Sequence, residues 1–291
     1  MKRPQTVRAL EAFKHAVDTL TGIGIRDANE ETRVIFRDGL ELDTLVLYRD
    51  NPVLSIEQIQ KLNEILERRK KREPLQYILG FVWFYGLKVL VGSGALVPRP
   101  ETEILVREAL NRAHKGKKTQ INVLDLCTGS GAIALALAKE LPLATVTGVD
   151  ISEEALAWAE KNRELNRAEN VRLLKGDLFS PVEQMRFSLI TANPPYIKDR
   201  LIEKLEPEVS CWEPRVALSG GEEGLSFTRD IIAGASARME PGGHLLIELA
   251  GGTDTALVSE LAVQNGLQVE DIIKDLAGWE RVFIARKPRS G

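Results

Sequence analysis

A buried strand that leads directly into a glycine-rich turn and a helix is the feature that most restricts how this chain can fold. Residues 121–126 form a largely apolar run, Gly129 and Gly131 follow it, and residues 132–141 have the apolar spacing of a helix. The glycines permit close approach of the backbone to a ligand, and the helix start leaves N–H groups without partners. This segment predicts an α/β domain with a nucleotide-type cofactor at the turn.

Two later strands end in residues suited to the same cofactor. The predicted strand 144–149 is followed by Asp150, whose carboxylate can accept hydrogen bonds from both hydroxyls of a ribose. After strand 171–174, Asp177 can face an adenine amine and Leu178 can pack on the ring. Because parallel strands direct their carboxyl ends to one edge of a sheet, these residues are predicted to converge there.

The glycine-rich turn alone does not identify the cofactor, since an NAD-dependent dehydrogenase would show a similar strand, turn and acidic residue. Ala134 stands where a dinucleotide-binding motif has its third glycine, and alanine is a permitted variant there. Asp125 favours S-adenosylmethionine, because a carboxylate would repel a pyrophosphate and attract the cationic ammonium or sulfonium group of this methyl donor.

The tetrapeptide Asn193-Pro194-Pro195-Tyr196, which closes the apolar run 187–192, indicates methylation of a planar nitrogen. Such a nitrogen shares its lone pair with a neighbouring π system, so an enzyme must hold both of its N–H groups in a fixed orientation. The Asn193 side-chain oxygen and the Pro194 carbonyl oxygen are the expected acceptors. Tyr196 is expected to present its ring to the substrate, so the tetrapeptide is the predicted catalytic set. The alternative is an ordinary rigid turn.

Four further motifs, at residues 74–80, 97–103, 213–218 and 220–225, extend the pattern over most of the chain. Together they make it similar to the HemK/PrmC family of protein-(glutamine) methyltransferases. The resemblance implies an enzyme that transfers a methyl group from S-adenosyl-L-methionine to a glutamine side-chain amide nitrogen. The implied substrate is the glutamine of the Gly-Gly-Gln motif in peptide chain release factors, a protein partner that acts in translation termination.

The residues expected around the donor combine those of the family motifs with Asp125 and with Thr102, which lies at a predicted helix entry beside the methionine end. They are Thr102, Asp125, Cys127, Thr128, Gly129, Ser130, Gly131, Asp150, Asp177, Leu178 and Asn193. Cys127 stands where the family usually has glycine, so this position is expected to need no positive φ. No metal site is expected.

The chain is predicted to have three parts. Residues 1–73 form a small helical bundle for substrate docking, in which Ser55 and Gln58 form a capping box. Residues 74–97 form a linker with a β-hairpin, and residues 98–291 form a Rossmann-like, seven-stranded class I S-adenosylmethionine-dependent methyltransferase domain. The strands are expected near 121–126, 144–149, 171–174, 187–192, 243–248, 267–274 and 281–286. The last two are too close in sequence for a crossover helix, so they should pair antiparallel.

Composition indicates which class of partner the protein binds and in which cellular compartment it acts. A net charge of −3 over 291 residues argues against a surface built mainly for a nucleic-acid backbone, which favours a protein partner. Two unrelated cysteines, the lack of a membrane-spanning apolar stretch and a start at Met1–Pro4 without a signal-type apolar core indicate a cytoplasmic protein.

Three alternatives remain open from the sequence. The basic run 68–72 could contact a release factor or the ribosome, or it could be a solvated helix end that the helix dipole favours. The tetrapeptide also suits a flipped-out adenine or cytosine, as in DNA or RNA amino-methyltransferases. A donor-binding regulatory module without catalysis is the third, and the complete tetrapeptide argues against it.

Overall fold

The computed structural model describes residues 6–115 and 120–289. The chain divides into two compact units, one of Met1–Gly80 with Pro207–Trp212 and the other of Phe81–Glu206 with Glu213–Gly291. The first four residues, on which the expected absence of a signal sequence rests, lie outside the described part. Among the described residues, no helix combines the length and the apolar character that crossing a membrane requires.

The first unit is helical, as predicted. Its helices are α1 (Ala9–Gly22), α2 (Ala28–Val34), α3 (Thr44–Asp50), α4 (Ile56–Lys70) and α5 (Leu75–Leu79), with a π-helical turn at Ile35–Gly39 and the short α10 (Pro207–Ser210). The capping box predicted before α4 is confirmed, because the Ser55 hydroxyl accepts from the Gln58 N–H and the Gln58 side chain accepts from the Ser55 N–H. Phe13 and Phe36 meet edge to face in the core, with ring centroids 5.3 Å apart.

The basic run 68–72 at the end of α4 is partly buried within the helical unit, so not all of its side chains face solvent or can contact another molecule. Arg69 is buried, and its guanidinium group bonds both Glu31 on α2 and Glu208 on α10. Arg72 donates to the second oxygen of Glu208 at 2.7 Å. Two residues of the run therefore hold the segment 207–212 in the helical unit, a contact across more than a hundred residues that the local sequence pattern does not reveal.

The second unit contains a hairpin and a seven-stranded sheet. The hairpin pairs β1 (Phe81–Phe84) with β2 (Leu87–Leu90). The sheet is built from β3 (Asn122–Leu126), β4 (Thr145–Asp150), β5 (Val171–Lys175), β6 (Phe187–Ala192), β7 (Met239–Glu248), β8 (Gln268–Lys274) and β9 (Glu280–Arg286). Its order is β5-β4-β3-β6-β7-β9-β8. The first five of these are parallel, and β8 and β9 pair antiparallel, as predicted.

Helices cover the sheet, so its central strands carry apolar residues on both faces, and Leu124, Ile190 and Leu245 are fully buried. The remaining helices of the unit are α6 (Thr102–Lys115), α7 (Ala132–Glu140), α8 (Glu153–Leu165), α9 (Asp199–Ile202), α11 (Ser226–Arg238) and α12 (Thr255–Gln264). The order of the strands changes direction between β3 and β6, and the loops after these strands meet at one edge of the sheet.

Candidate active site

A cavity of about 1010 Å³, counted with its open mouth, lies among the loops that follow the parallel strands. The predicted residues that line it are Thr102, Cys127, Thr128, Gly129, Ser130, Asp150, Asp177, Leu178, Asn193 and Pro195. Among the described residues, its charged lining side chains are Asp150 and Asp177, both acidic. An acidic lining without a lysine or arginine disfavours a ligand with phosphate groups and suits a cationic one. No group of three potential metal ligands occurs in the described part of the chain.

Asp150 joins the glycine-rich turn to the end of β4. Its Oδ2 accepts from the Gly129 N–H at 2.8 Å and its Oδ1 accepts from the Ser152 N–H at 2.9 Å. Burial raises the pKa of this carboxyl group, and these backbone hydrogen bonds oppose the shift. Each carboxylate oxygen still has a lone pair, so Asp150 can accept from a ligand while it holds the turn.

Two non-glycine residues that line the cavity adopt left-handed backbone conformations. Cys127 has φ +55° and Leu178 has φ +45°. The expectation that position 127 needs no positive φ is therefore wrong, and the observed φ explains why glycine would suit this position. Burial, followed by the charges of Asp150, Asp125 and Asp177, raises the pKa of the Cys127 thiol well above its usual value. A raised pKa keeps a thiol protonated and a poor nucleophile, which argues against covalent catalysis by Cys127.

Gly131 lies at the end of the glycine-rich turn, where its expected contact with the donor stays a prediction. It has φ +83°, precedes the first residue of α7, and does not line the cavity. A Cβ added there would lie 3.2 Å from the Ala159 Cβ on α8. The positive φ favours glycine at this position, and the close packing of α7 and α8 leaves little room for a side chain.

Asp125 is also not in contact with the cavity, which corrects its predicted role. It is fully buried, and its oxygens accept from the hydroxyls of Thr128 at 2.6 Å and Thr191 at 2.8 Å. Burial raises its pKa to about 7, against the opposing effect of these hydrogen bonds. Asp125 therefore fixes the turn through Thr128, and the preference for a cationic donor rests on Asp150 and Asp177.

Replacing Asp125 with Asn should change how stability depends on pH. The folded pKa of about 7 exceeds the ordinary value of 3.8, so the folded state holds the proton more tightly. The contribution of Asp125 to the free energy of unfolding is then greatest in acid. It declines as pH rises from about 4 to about 7, by at most ~1.4 kcal/mol for each pH unit. Denaturant unfolding across this pH range measures the difference in free energy of unfolding between the wild type and Asp125→Asn. A difference that does not change with pH would contradict the raised pKa of Asp125.

The predicted catalytic tetrapeptide lies directly after β6, and its first and third residues reach the cavity. The Asn193 Nδ2 group donates to the Thr102 hydroxyl at 3.2 Å, which leaves the Asn193 Oδ1 as the acceptor on the other side of the amide. Pro194 is buried and does not line the cavity with its side chain. Tyr196 departs from expectation, because it does not line the cavity and its hydroxyl donates to Glu248 at 3.3 Å.

The glycine-rich segment 220–225 bonds the residue that follows the tetrapeptide and approaches the tetrapeptide itself closely. The Ile197 N–H donates to the Leu218 carbonyl at 2.9 Å, and the Gly220 N–H donates to the Ile197 carbonyl at 2.8 Å. A Cβ at Gly220 would lie 2.8 Å from both the Pro195 carbonyl oxygen and the Tyr196 Cα. The loop thus requires a glycine for its close approach to the tetrapeptide.

Gly220→Ala is expected to lower turnover by about 10²-fold while donor affinity changes little, because the new methyl group must displace the tetrapeptide. Steady-state kinetics and calorimetric titration of the donor separate the two effects. Gly22→Ala is the matched control, since a Cβ at that helical glycine meets nothing within 4 Å. Equal turnover in the two variants would show that the close approach has no functional importance.

Several residues of the cavity escape prediction from the sequence. They are Gly94, Leu96, Ala132, Ile133, Val149, Ile151, Ser152, Ala155, Gly176, Pro214, Val216, Ala217 and Phe227. Pro98 also lines the cavity, and it belongs to the helix entry 98–103 that the sequence predicts at the methionine end of the donor. The motif at 213–218 could have indicated the residues of 214–217 that line the cavity. Phe227 lies on α11, far along the chain from the motifs around β3, and nothing in its local sequence marks it.

Two regions of the chain match known protein families. Residues 11–80 match the PrmC N-terminal domain and residues 101–206 match the Methyltransferase small domain. The chain is 43% identical to the release factor glutamine methyltransferase of Thermodesulfovibrio yellowstonii, over 98% of this chain and 100% of the relative. It is 45% identical to the protein of the same name from Geobacter sulfurreducens, over 80% and 81% of the two chains.

Among solved structures, the chain is similar to a methyltransferase from Pyrococcus furiosus. The TM-score is 0.53 at 23% identity, and the match covers 70% of this chain and 90% of that one. This similarity supports the fold of the sheet domain.

Proposed function

Because the chain belongs to the family of release factor glutamine methyltransferases, we propose that it methylates the side-chain amide nitrogen of the Gly-Gly-Gln glutamine in peptide chain release factors, with S-adenosylmethionine as donor. The observation that carries the proposal is the position of Asn193 in the cavity wall, with its NH₂ group occupied by Thr102 and its oxygen left to accept from a substrate amide. The protein partner is therefore a release factor.

The residues of the cavity fit the donor. S-adenosylmethionine supplies an electrophilic methyl group on a positively charged sulfur, and it has a ribose and an adenine but no phosphate. Asp150 offers acceptors for the ribose hydroxyls, and Asp177 offers one for the adenine amine. Leu178 and Phe227 are among the apolar side chains that could cover the ring. Gly129 lets the backbone come close at the turn.

Asp150→Ala is expected to weaken donor binding by about 10- to 100-fold, because charge-assisted hydrogen bonds to the ribose are lost along with the acceptor for the Gly129 N–H. Calorimetric titration with S-adenosylmethionine measures the change. An unchanged dissociation constant would place the ribose elsewhere in the cavity.

The amide-binding residues perform catalysis by positioning. The Asn193 Oδ1 and the Pro194 carbonyl oxygen accept from the two N–H groups of the glutamine amide, which orients the nitrogen and increases its electron density. Holding two reactants close to the attack geometry can contribute ~7–11 kcal/mol. The amide nitrogen would gain the methyl group as the sulfur–methyl bond of the donor breaks, which would leave a neutral thioether. The nitrogen gives up one hydrogen as a proton, and we assign the transfer of this proton to water after the methyl transfer.

The reaction can be tested directly with purified protein. The protein is incubated with labelled S-adenosylmethionine and a release factor, and a parallel sample has the Gly-Gly-Gln glutamine changed to alanine. Mass spectrometry that finds the methyl group on that glutamine, and none in the alanine sample, is the expected result. Duplex DNA and RNA are assayed alongside, and methylation of either without methylation of the release factor would move the function to nucleic-acid amino groups.

A further inference from the structure

Asn162 is a fully buried polar residue on α8 that has no part in the site as described. It is 0% exposed and does not line the cavity. Its Oδ1 accepts from the Leu90 N–H at 2.6 Å, and its Nδ2 donates to the carbonyls of Leu90 and Ser130, both at 2.9 Å. Because an N–H group can only donate and a carbonyl can only accept, these partners allow one orientation of the amide. The side chain thus joins two segments that are 40 residues apart along the chain.

The bonds to Leu90 fasten the end of the β-hairpin to α8. Leu90 is the last residue of β2, and the asparagine amide bonds both of its main-chain groups, as a residue of a neighbouring strand would. One turn earlier on α8, the Trp158 Nε1 group donates to the Ser93 carbonyl at 3.0 Å. The chain then continues to Gly94, which lines the cavity. Two successive turns of α8 therefore hold residues 90–96, which are called the wall segment below.

The bond to Ser130 holds the glycine-rich turn. Ser130 is 3% exposed and lines the cavity. Its carbonyl belongs to the same peptide group as the Gly131 N–H, which donates to the Thr128 carbonyl at 2.9 Å. Both polar groups of this peptide are bonded, so its plane cannot rotate without the loss of a hydrogen bond. Removal of the asparagine amide would take from the buried carbonyl a donor that keeps the turn in place.

The spacing of residues on α8 explains how one side chain reaches both segments. Residues three and four positions apart on a helix are neighbours on its surface. Ala159 and Asn162 therefore face the turn together, and a Cβ at Gly131 would lie 3.2 Å from the Ala159 Cβ. Trp158 and Asn162 face the wall segment together. Asn162 belongs to both rows, so movement of either segment disturbs its bonds to the other.

We propose that Asn162 is a positioning residue for donor binding, which couples the wall segment to the glycine-rich turn through one amide group. Both segments contribute to the lining of the same cavity, so a donor that holds the turn in place also strengthens the attachment of the wall segment. The inference rests on the donor in the proposed function and does not depend on the methyl acceptor.

Asn162→Leu tests the role in binding, because leucine has a similar shape and makes none of the three hydrogen bonds. The dissociation constant of S-adenosylmethionine should rise about 10-fold, the effect of one lost buried hydrogen bond on the turn. Asn166→Leu is the matched control, since Asn166 is the next asparagine on this face of the helix, donates to the Lys88 carbonyl at 3.1 Å and does not line the cavity. Its dissociation constant should stay near that of the wild type. Equal dissociation constants for the two variants, measured by calorimetric titration, would overturn the proposal.

The folded fraction of each variant separates positioning from a general loss of structure. The apparent dissociation constant rises as the reciprocal of the folded fraction, so a variant that remains almost wholly folded cannot bind 10-fold more weakly for that reason. Circular dichroism and denaturant unfolding measure this fraction. A loss of affinity that the unfolded fraction fully accounts for would overturn the proposed role.

Amide hydrogen exchange in the wild type tests the coupling without any substitution. Leu90 does not line the cavity, yet the donor should slow exchange of its N–H more than that of Leu267, which donates to the Ala262 carbonyl at 2.9 Å away from the cavity. Equal slowing at the two amides would overturn the coupling. Preferential slowing at Leu90 in a protein that methylates no release factor would overturn the proposed function and uphold the role of Asn162.

Discussion

Asn193→Ala is expected to lower turnover by about 10²- to 10³-fold, the range found when one oriented hydrogen-bonding group of a transition-state site is removed. The variant loses the side-chain oxygen proposed to hold one N–H of the glutamine amide. The donor should bind with nearly wild-type affinity, because Asp150 and the glycine-rich turn are unchanged. Single-turnover kinetics with a release factor and calorimetric titration of the donor test the two parts separately.

The control for this prediction is Asn265→Ala. Asn265 donates its side-chain amide to the Leu261 carbonyl at 2.8 Å at the end of α12 and does not line the cavity. Its turnover should remain near that of the wild type. If Asn193→Ala loses donor affinity and turnover to the same extent, Asn193 acts in donor binding. The proposed hydrogen bond between Asn193 and the glutamine amide is then wrong.

Arg69→Met is expected to destabilise the folded protein by ~3–5 kcal/mol, because it removes one partner from a buried ionic cluster. The Arg69 side chain is 2% exposed, and Glu31 and Glu208 are 18% and 17% exposed. Without the guanidinium group, Glu31 loses its partner in this cluster, and Glu208 keeps its ion pair with Arg72. Methionine fills a similar volume, so the loss is mainly electrostatic.

Denaturant unfolding measures this loss, and Arg33→Met serves as the matched control. Arg33 pairs with Glu30 on the surface of α2, where the side chains are 46% and 66% exposed. Exposed pairs of this kind contribute ~1 kcal/mol or less, so the control should stay close to the wild type. A similar small change in both variants would mean that Arg69 is not essential for holding segment 207–212.

Local sequence patterns determine the secondary-structure elements and the motif residues that line the cavity. The apolar runs identify the seven strands, and the short connection between the last two predicts their antiparallel pairing. Parallel strands end at a common edge, so the strand pattern alone places Asp150 and Asn193 near one another. Ser55 and Gln58 likewise predict a helix start, because a capping box involves residues only three positions apart.

Contacts between residues far apart in sequence depend instead on how the elements pack. The sequence predicts that Asp125 faces the donor, but burial and two threonine hydroxyls make it a support of the turn. It also predicts that Tyr196 faces the substrate, but the hydroxyl of this residue points to Glu248. Sequence periodicity determines which side of a strand or helix is buried, whereas the partner of a buried polar group is set by the packing of separate elements. The sequence motifs therefore indicate the chemistry of the site, whereas the buried side chains that orient its residues are apparent only in the tertiary structure.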